Sequence, residues 1–256
     1  NKSKKIFILS KFIAGESSNS KINKIKNYLI KNKIDYLYSS AGENVNWLLN
    51  IRGGDLPNSP LVNCKLIISK KGKIYLFICK NKISNFVKKK LKNVTICKEN
   101  TLFEVLNIFK KGVFCIDENT CSIFEKKIIN TKFKIISEKD PIYDFKSVKN
   151  KIEIKNTLKA HIEDGGAMTK FLYWFKTNKS PITEKDIEKR LEKFRKQSKN
   201  YLYPSFDTIA GSGPNGAIIH YKSNNETNRK IKKKDILLVD SGGQYKWGTT
   251  DVTRTI

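Results

Sequence analysis

The sequence predicts an α/β fold, because short apolar runs with strand character alternate with segments of helical periodicity along its 256 residues. A chain of this length can form two ordinary domains, each with a core of its own. None of its apolar runs approaches the ~20 residues of a membrane span, and no signal peptide is visible. Because the chain begins at Asn1 rather than Met, we expect the natural amino terminus to have been trimmed.

The chain is strongly basic, with 51 Lys and Arg residues against 24 Asp and Glu residues and a formal net charge of +27. Such a balance is typical of proteins that bind nucleic acids or acidic membranes. Here all but five of the cations are lysines, and the densest runs, at residues 88–90 and 230–234, are short and set among apolar residues. The charge is therefore diffuse, and we predict no nucleic-acid or membrane partner.

Five cysteines are spread through the first half of the chain, mostly within apolar runs. No two of them form a C-x-x-C pair, so neither a zinc knuckle nor a disulfide framework is indicated. We predict buried, reduced thiols in a cytoplasmic protein. The five are Cys64, Cys79, Cys97, Cys115 and Cys121.

The first half of the chain predicts a mixed α/β sheet domain over residues 21–145, after a remnant of a preceding domain or linker over residues 1–20. A helix is predicted from Lys21 by apolar positions at helical spacing, and a strand follows at residues 34–38. Lys70-Lys71-Gly72 suits a hairpin between two further strands. The remaining predictions are strands at residues 61–69, 73–79, 94–97 and 112–116, and helices at residues 83–91, 102–109 and 120–128, the last capped by Asn119 or Thr120.

The second half begins with a long helical pattern from residue 147 to 175. His161 lies on it without an acid or a second His at i+4, which favours a partly buried structural histidine over a ligand. A second helix is predicted from Thr183, with Asp186 at the capping-box distance. Residues 217–221 then read as an apolar strand that ends in His220 and Tyr221.

Two acids lie near the end of the chain. Asp240 ends a short buried strand, Ser241-Gly242-Gly243 supplies a turn, and Asp251 lies eleven positions further on in a returning strand. On neighbouring antiparallel strands the two carboxylates would stand a few ångströms apart if they shared a face. Like charges so placed repel, and a divalent metal would resolve the conflict. The same residues also fit a simpler interpretation, in which Asp240 is a turn residue and Asp251 a surface acid.

The segment from Asp240 to Thr255 resembles the first two metal-ligand positions of the three-domain Xaa-Pro aminopeptidases (aminopeptidase P), of the creatinase/prolidase/methionine aminopeptidase superfamily. Residues 43–60, which contain Trp47 and Arg52, resemble a stretch of that family's non-catalytic domain, and residues 211–221 are also similar to the family's pattern. The resemblance implies a creatinase-type mixed-sheet middle domain, followed over residues 146–256 by the first half of a pita-bread catalytic domain.

The resemblance also assigns roles. Asp240 would hold one metal ion, Asp251 would bridge two, and manganese is the metal most associated with the family. His220 would line the substrate site, where a neutral imidazole suits the neighbourhood of a dication. The implied reaction is hydrolysis of the bond between an N-terminal residue and a following proline. Arg52 would reach a catalytic cleft or a partner subunit, or form a structural ion pair.

One departure from the family concerns the remaining ligands. The family's metal set includes one His and two Glu downstream of this pair, and the sequence ends at Ile256 before them. We expect the chain to be a fragment, inactive alone, of a protein that forms homodimers when complete. Two alternatives stay open, a prolidase-like dipeptidase and a non-catalytic pita-bread module that binds protein or nucleic acid.

Overall fold

A computed structural model describes residues 5–256, which divide into two compact units. The first contains the described residues up to Leu56 together with Pro60–Asn150. The second contains Pro57–Ser59 and Lys151–Ile256. No helix within the described part of the chain combines the length and the apolar character needed to cross a membrane.

The first unit contains short helices and strands in alternation, with a 3₁₀ turn at Lys80–Lys82. Its helices are α1 (Lys11–Ala14), α2 (Ser18–Lys31), α3 (Gly42–Leu49), α4 (Asn85–Lys90), α5 (Leu102–Asn107), α6 (Ile123–Asn130) and α7 (Ile142–Ser147). Its strands are β1 (Phe7–Ile8), β2 (Tyr36–Ser39), β3 (Ile51–Arg52), β4 (Cys64–Ser69), β5 (Ile74–Ile78), β6 (Val94–Cys97), β7 (Val113–Ile116) and β8 (Lys134–Ser137).

Six of these strands form one mixed sheet in the order β6-β5-β4-β2-β7-β8. The predicted hairpin is confirmed, since β4 and β5 pair antiparallel and Gly72 takes a left-handed conformation between them, with φ of 80°. The pairs β5–β6, β2–β7 and β7–β8 are parallel and are connected through helices. The mixed α/β sheet predicted from the alternating pattern is therefore present.

Alternate residues of the central strands enter two different cores, one on each face of the sheet. Leu66 and Ile68 of β4 pack with residues of α2 and α3 in the first core. Ile67, between them, packs in a second core with Phe109 and Phe114. All three β4 side chains are fully buried, so the sheet is covered on both faces.

Two details of this unit differ from the prediction. The cap of α6 is neither Asn119 nor Thr120 but Ser122, whose hydroxyl oxygen accepts from the Glu125 N–H at 3.2 Å. Asn119 and Thr120 instead bond to Asp117 in the preceding turn. Strand β8 was not predicted, because its two isoleucines stand between exposed polar residues and are only half-buried.

The second unit has two helices and two three-stranded sheets, together with a 3₁₀ helix at Gly213–Ala217. The helices are α8 (Lys151–Thr177) and α9 (Glu184–Arg195). The strands are β9 (Tyr201–Pro204), β10 (Ile209–Ser212), β11 (Leu237–Ser241), β12 (Gly243–Tyr245), β13 (Gly248–Thr249) and β14 (Val252–Thr255). One sheet has the order β10-β11-β14 and the other β13-β12-β9, all antiparallel.

The helices α8 and α9 cover the first of these sheets. Phe171 of α8 and Leu191 of α9 share a core with Leu237 and Val239 of β11. The capping box at the start of α9 is present, with the Thr183 side chain and Asp186 bonded reciprocally. The long helix and the capped helix predicted from the sequence are thus both confirmed.

The turn after Asp240 lies elsewhere than predicted. The chain runs on through Gly242 from β11 into β12, and it reverses at Lys246 and Trp247 between β12 and β13. Neither Gly242 nor Gly243 has a positive φ. Gly242 is needed for close packing instead, because a Cβ there would lie 2.0 Å from the Thr250 carbonyl oxygen.

Candidate metal centre

Asp240 and Asp251 lie on one face of the β10-β11-β14 sheet. Asp240 is in β11 and pairs with Thr253 of β14, so Asp251, two residues before Thr253, is its diagonal neighbour on the same face. The Thr253 hydroxyl donates to Asp240 Oδ1 at 2.9 Å. The two carboxyl groups predicted to approach each other therefore do so, although Asp251 precedes β14 rather than lying within it.

The electrostatics of the pair follow from this approach. Partial burial and the adjacent Asp240 carboxylate raise the pKa of Asp251. The nearby His161 acts in the opposite direction and lowers that pKa. Two carboxylates that repel each other on one sheet face form a local excess of negative charge, which a bound cation would neutralise.

A cavity of about 450 Å³ opens beside the two acids, and His220 reaches it too. The three side chains predicted as a site therefore line one cavity. Its lining residues are Phe206, Asp207, Ile209, His220, Tyr221, Lys222, Asp240 and Asp251.

The element that carries His220 is not the predicted strand. Residues 217–221 leave the 3₁₀ helix and form a turn, in which His220 is exposed and takes φ of 56°. The strand prediction failed because Ile218 and Ile219 are apolar but exposed, at 52% and 87% of their accessible surface. A left-handed conformation is uncommon for a residue with a Cβ and persists only where the surroundings fix it.

His161 differs from its prediction. It is exposed on α8 rather than partly buried, and its Nδ1 lies 3.0 Å from the Thr157 carbonyl oxygen. It nevertheless lies close enough to Asp251, a residue of the candidate site, to lower the pKa of that carboxyl group. No sequence pattern links the two residues, because they lie ninety positions apart and come together only through the packing of α8 on β13, where Gly248 approaches Ala160.

Arg52 has local contacts within the first unit. Its Nη1 donates to the carbonyl oxygens of Ile51 at 2.8 Å and of Asn46 at 3.1 Å. These bonds tie the end of α3 to β3, so the guanidinium helps to hold the local backbone.

The two acids supply part of a ligand set for a metal ion. Asp240 and Asp251 offer hard carboxylate oxygens, the ligand type that manganese and magnesium prefer. Among residues 5–256, however, no group of three or more His, Cys, Asp or Glu side chains could hold a metal ion. The two acids therefore fit a metal as part of a ligand set, and further ligands are needed to complete it.

Two charged residues of the cavity were missed by the sequence analysis. Asp207 and Lys222 form an ion pair at its wall, and the Asn58 side-chain amide donates to Asp207 at 3.3 Å. The backbone carbonyl of Asn58 accepts from the Gln244 side-chain amide at 3.0 Å. Asn58 lies 149 and 186 positions from Asp207 and Gln244 in the sequence, so no local pattern links it to these partners.

Comparisons with known proteins cover both halves of the chain. Residues 1–153 match the sequence model of the Creatinase/Prolidase N-terminal domain, and residues 155–256 match that of Metallopeptidase family M24. Xaa-Pro aminopeptidase 1 of Dictyostelium discoideum is 34% identical over 98% of this chain and 41% of its own length. Xaa-Pro aminopeptidase ApepP of Drosophila melanogaster is 34% identical over 99% of this chain and 43% of its own length. The chain thus spans about two fifths of these relatives.

A solved structure confirms the predicted fold class. X-prolyl aminopeptidase from Caenorhabditis elegans, described as a cytosolic enzyme with a di-nuclear active site, matches 99% of this chain with a TM-score of 0.92 and 26% identity. The match covers 43% of that protein. Prolidase from Pyrococcus furiosus shares the fold at a TM-score of 0.66 and 20% identity.

Proposed function

Because the chain belongs to the creatinase/prolidase family, we propose that it contributes to a metal-dependent aminopeptidase that releases the residue preceding a proline from peptide N-termini. The observation that carries the proposal is the approach of Asp240 and Asp251 on one sheet face beside His220, at a cavity large enough for a peptide end. In this proposal residues 146–256 belong to the catalytic domain and residues 21–145 to a non-catalytic one.

Each residue of the site would have its own role in this reaction. Asp240 and Asp251 would hold two divalent metal ions, which we propose to be manganese, together with ligands beyond this chain. Such a metal pair lowers the pKa of a water molecule toward neutrality and polarises a scissile carbonyl. The Thr253 hydroxyl, by donating to Oδ1, orients the Asp240 carboxylate. His220, exposed in the cavity, would hydrogen-bond the substrate.

Xaa-Pro aminopeptidase activity is favoured over a prolidase-like dipeptidase. The chain is 34% identical to two Xaa-Pro aminopeptidases, and it superposes on a third with a TM-score of 0.92 at 26% identity. A non-catalytic module has no need of two neighbouring acids that repel each other.

Compartment and assembly are part of the same proposal. All five cysteines are free thiols, which suits a reducing compartment, and the enzyme from Caenorhabditis elegans is described as cytosolic. We therefore propose a cytoplasmic protein that acts as a homodimer on peptides and has no nucleic-acid or membrane partner.

The test compares peptides and variants in the longer protein that includes the remaining ligands. With manganese, we expect release of the first residue from an X-Pro-containing tripeptide, and loss of that release in Asp251→Ala. Glu226→Gln, which removes an exposed acid from a loop of the same unit, should retain activity. Unchanged turnover in Asp251→Ala refutes the metal assignment. Cleavage confined to X-Pro dipeptides would favour the prolidase, and no cleavage at all would favour the module.

A further inference from the structure

Glu184 is a buried acid at the start of α9 that the proposed chemistry does not use. It is the first residue of the helix, and its side chain is fully buried. None of the ion pairs among residues 5–256 includes it. A buried carboxylate without a paired cation is costly unless hydrogen-bond donors surround it. The identity of those donors therefore indicates what the residue does.

Four groups donate to the Glu184 carboxylate, and all belong to the segment 212–229. Besides these bonds, the backbone N–H of Glu184 donates to the Arg229 carbonyl oxygen at 3.1 Å. The donors are the Ser212 N–H at 2.8 Å, the Asn215 side-chain amide at 3.0 and 3.2 Å, the Tyr221 hydroxyl at 2.7 Å and the Arg229 N–H at 3.0 Å. One carboxylate thus fixes the beginning, the middle and the end of this segment.

The segment presents His220 to the candidate site. No hydrogen bond among the described residues involves the His220 imidazole, and the residue is exposed with φ of 56°. Its neighbour Tyr221 is buried, with 5% of its surface exposed, and the Tyr221 hydroxyl bonds directly to Glu184. The position of the imidazole is therefore set by its backbone, and that backbone is held through the adjacent Tyr221.

We propose that Glu184 is a positioning residue for His220. It holds the left-handed turn through the Tyr221 hydroxyl and the Asn215 amide, so that the imidazole faces the cavity that Asp240 and Asp251 also line. The proposal rests on the proposed function only for the role that His220 plays toward substrate. The structural part of it concerns the metal-free chain and can be tested there.

The test uses the fact that the chain contains two histidines. In protein labelled with ¹³C-histidine, each imidazole Cε1–H gives one signal, and His161→Gln assigns the pair. Glu184→Gln keeps the side-chain size but replaces one acceptor oxygen by an amide that donates, so several of the four donors lose their acceptor. We expect the His220 signal to shift and broaden while the His161 signal stays in place.

The matched control is Glu192→Gln on the same helix, which removes a half-buried acid paired with Lys196. It should leave both histidine signals unchanged. Tyr221→Phe removes the hydroxyl that links Glu184 to the residue beside His220, and it should shift the His220 signal in a protein whose circular dichroism is unchanged. If Glu184→Gln unfolds the chain, Tyr221→Phe decides the question.

The proposal is overturned if Glu184→Gln stays folded and moves the His220 signal no more than the control does. It is equally overturned if Glu184→Gln unfolds and Tyr221→Phe leaves that signal in place. The spectra need neither metal nor peptide. An inactive wild-type protein would therefore overturn the proposed function while leaving this result intact.

Discussion

At the scale of single residues, Asp240 and Asp251 place two carboxyl groups of like charge close together on one sheet face. The adjacent charge contributes to the raised pKa of Asp251. Removing either charge relieves this repulsion in the metal-free protein and also removes an oxygen ligand. Stability and metal binding should consequently respond in opposite directions to one substitution.

Asp251→Asn provides that test. In the absence of metal, we expect the variant to unfold at a slightly higher urea concentration than wild type, with a gain below about 1 kcal/mol because the pair is partly solvated. In the longer protein that includes the remaining ligands, manganese should raise the unfolding midpoint of wild type, by mass action, and leave that of the variant unchanged. A manganese-dependent increase of equal size in both proteins would contradict the assignment of Asp251 as a ligand.

Asp140 is a second residue whose ionised form is disfavoured in the folded protein. It is almost fully buried in the first unit, and burial raises its pKa even though Ser39, Asn44 and the Ile142 N–H all donate to its oxygens. The nearby Asp117 raises the pKa further. Because the folded state holds the proton more tightly than the unfolded state, the folded protein is favoured at low pH. This contribution is lost as the pH rises through the raised pKa.

Asp140→Asn removes that titration. We expect the unfolding free energy of wild type, relative to the variant, to increase as the pH falls from neutrality through the raised pKa toward the ordinary aspartate value of about 3.9. The slope of this difference can reach about 1.4 kcal/mol per pH unit. Urea unfolding of both proteins at a series of pH values measures it. A difference that stays constant with pH would show that Asp140 titrates alike in the folded and unfolded chain.

At the scale of secondary-structure elements, substitution of two glycines of the second unit by alanine should change stability in opposite directions. A Cβ on Gly242 would lie 2.0 Å from the Thr250 carbonyl oxygen and 2.2 Å from Ser205 Oγ, whereas one on Gly165 in α8 would meet no atom within 4 Å. Gly242→Ala should therefore destabilise the protein by about 1–3 kcal/mol through overpacking. Gly165→Ala should stabilise it by about 0.5–1 kcal/mol, because alanine favours the helix.

Urea unfolding followed by tryptophan fluorescence measures both changes, since Trp174 and Trp247 lie in the same unit as the two glycines. Changes of the same sign in the two variants would contradict the packing argument. Gly242→Ala would also displace the strand that follows Asp240, so it should weaken manganese binding more than Gly165→Ala does.

The elements that the sequence predicted well are those whose pattern is local. The capping box of α9 and the hairpin at Gly72 each depend on residues within a few positions of one another. Gly242 was misassigned because a glycine signals either a left-handed conformation or a close approach, and one sequence does not separate the two. The two acids of the candidate site were predicted from their spacing and from their resemblance to a family. Glu184 was missed because its partners lie 28 to 45 positions away.

At the scale of the whole molecule, the charge of +27 is the property that most invites a functional interpretation. In the structure, Lys80, Lys88, Lys89 and Lys92 line one cavity of about 760 Å³ in the first unit. If this cavity binds polyanions, these four lysines supply most of the attraction for them. If the charge is diffuse, lysines over the whole surface contribute alike. The two cases predict different losses of polyanion affinity when the same amount of charge is removed at the cavity and elsewhere.

Two double substitutions make the comparison, Lys88→Glu with Lys89→Glu and Lys233→Glu with Lys234→Glu. All four lysines are exposed, and each pair lowers the formal net charge by four. Because the charge of this chain is spread over many lysines, we expect both variants to elute from immobilised heparin at salt concentrations lowered by the same amount, through loss of counterion release. A much larger decrease for the Lys88 and Lys89 variant would reveal a localised polyanion site and overturn the prediction that the chain has no nucleic-acid partner.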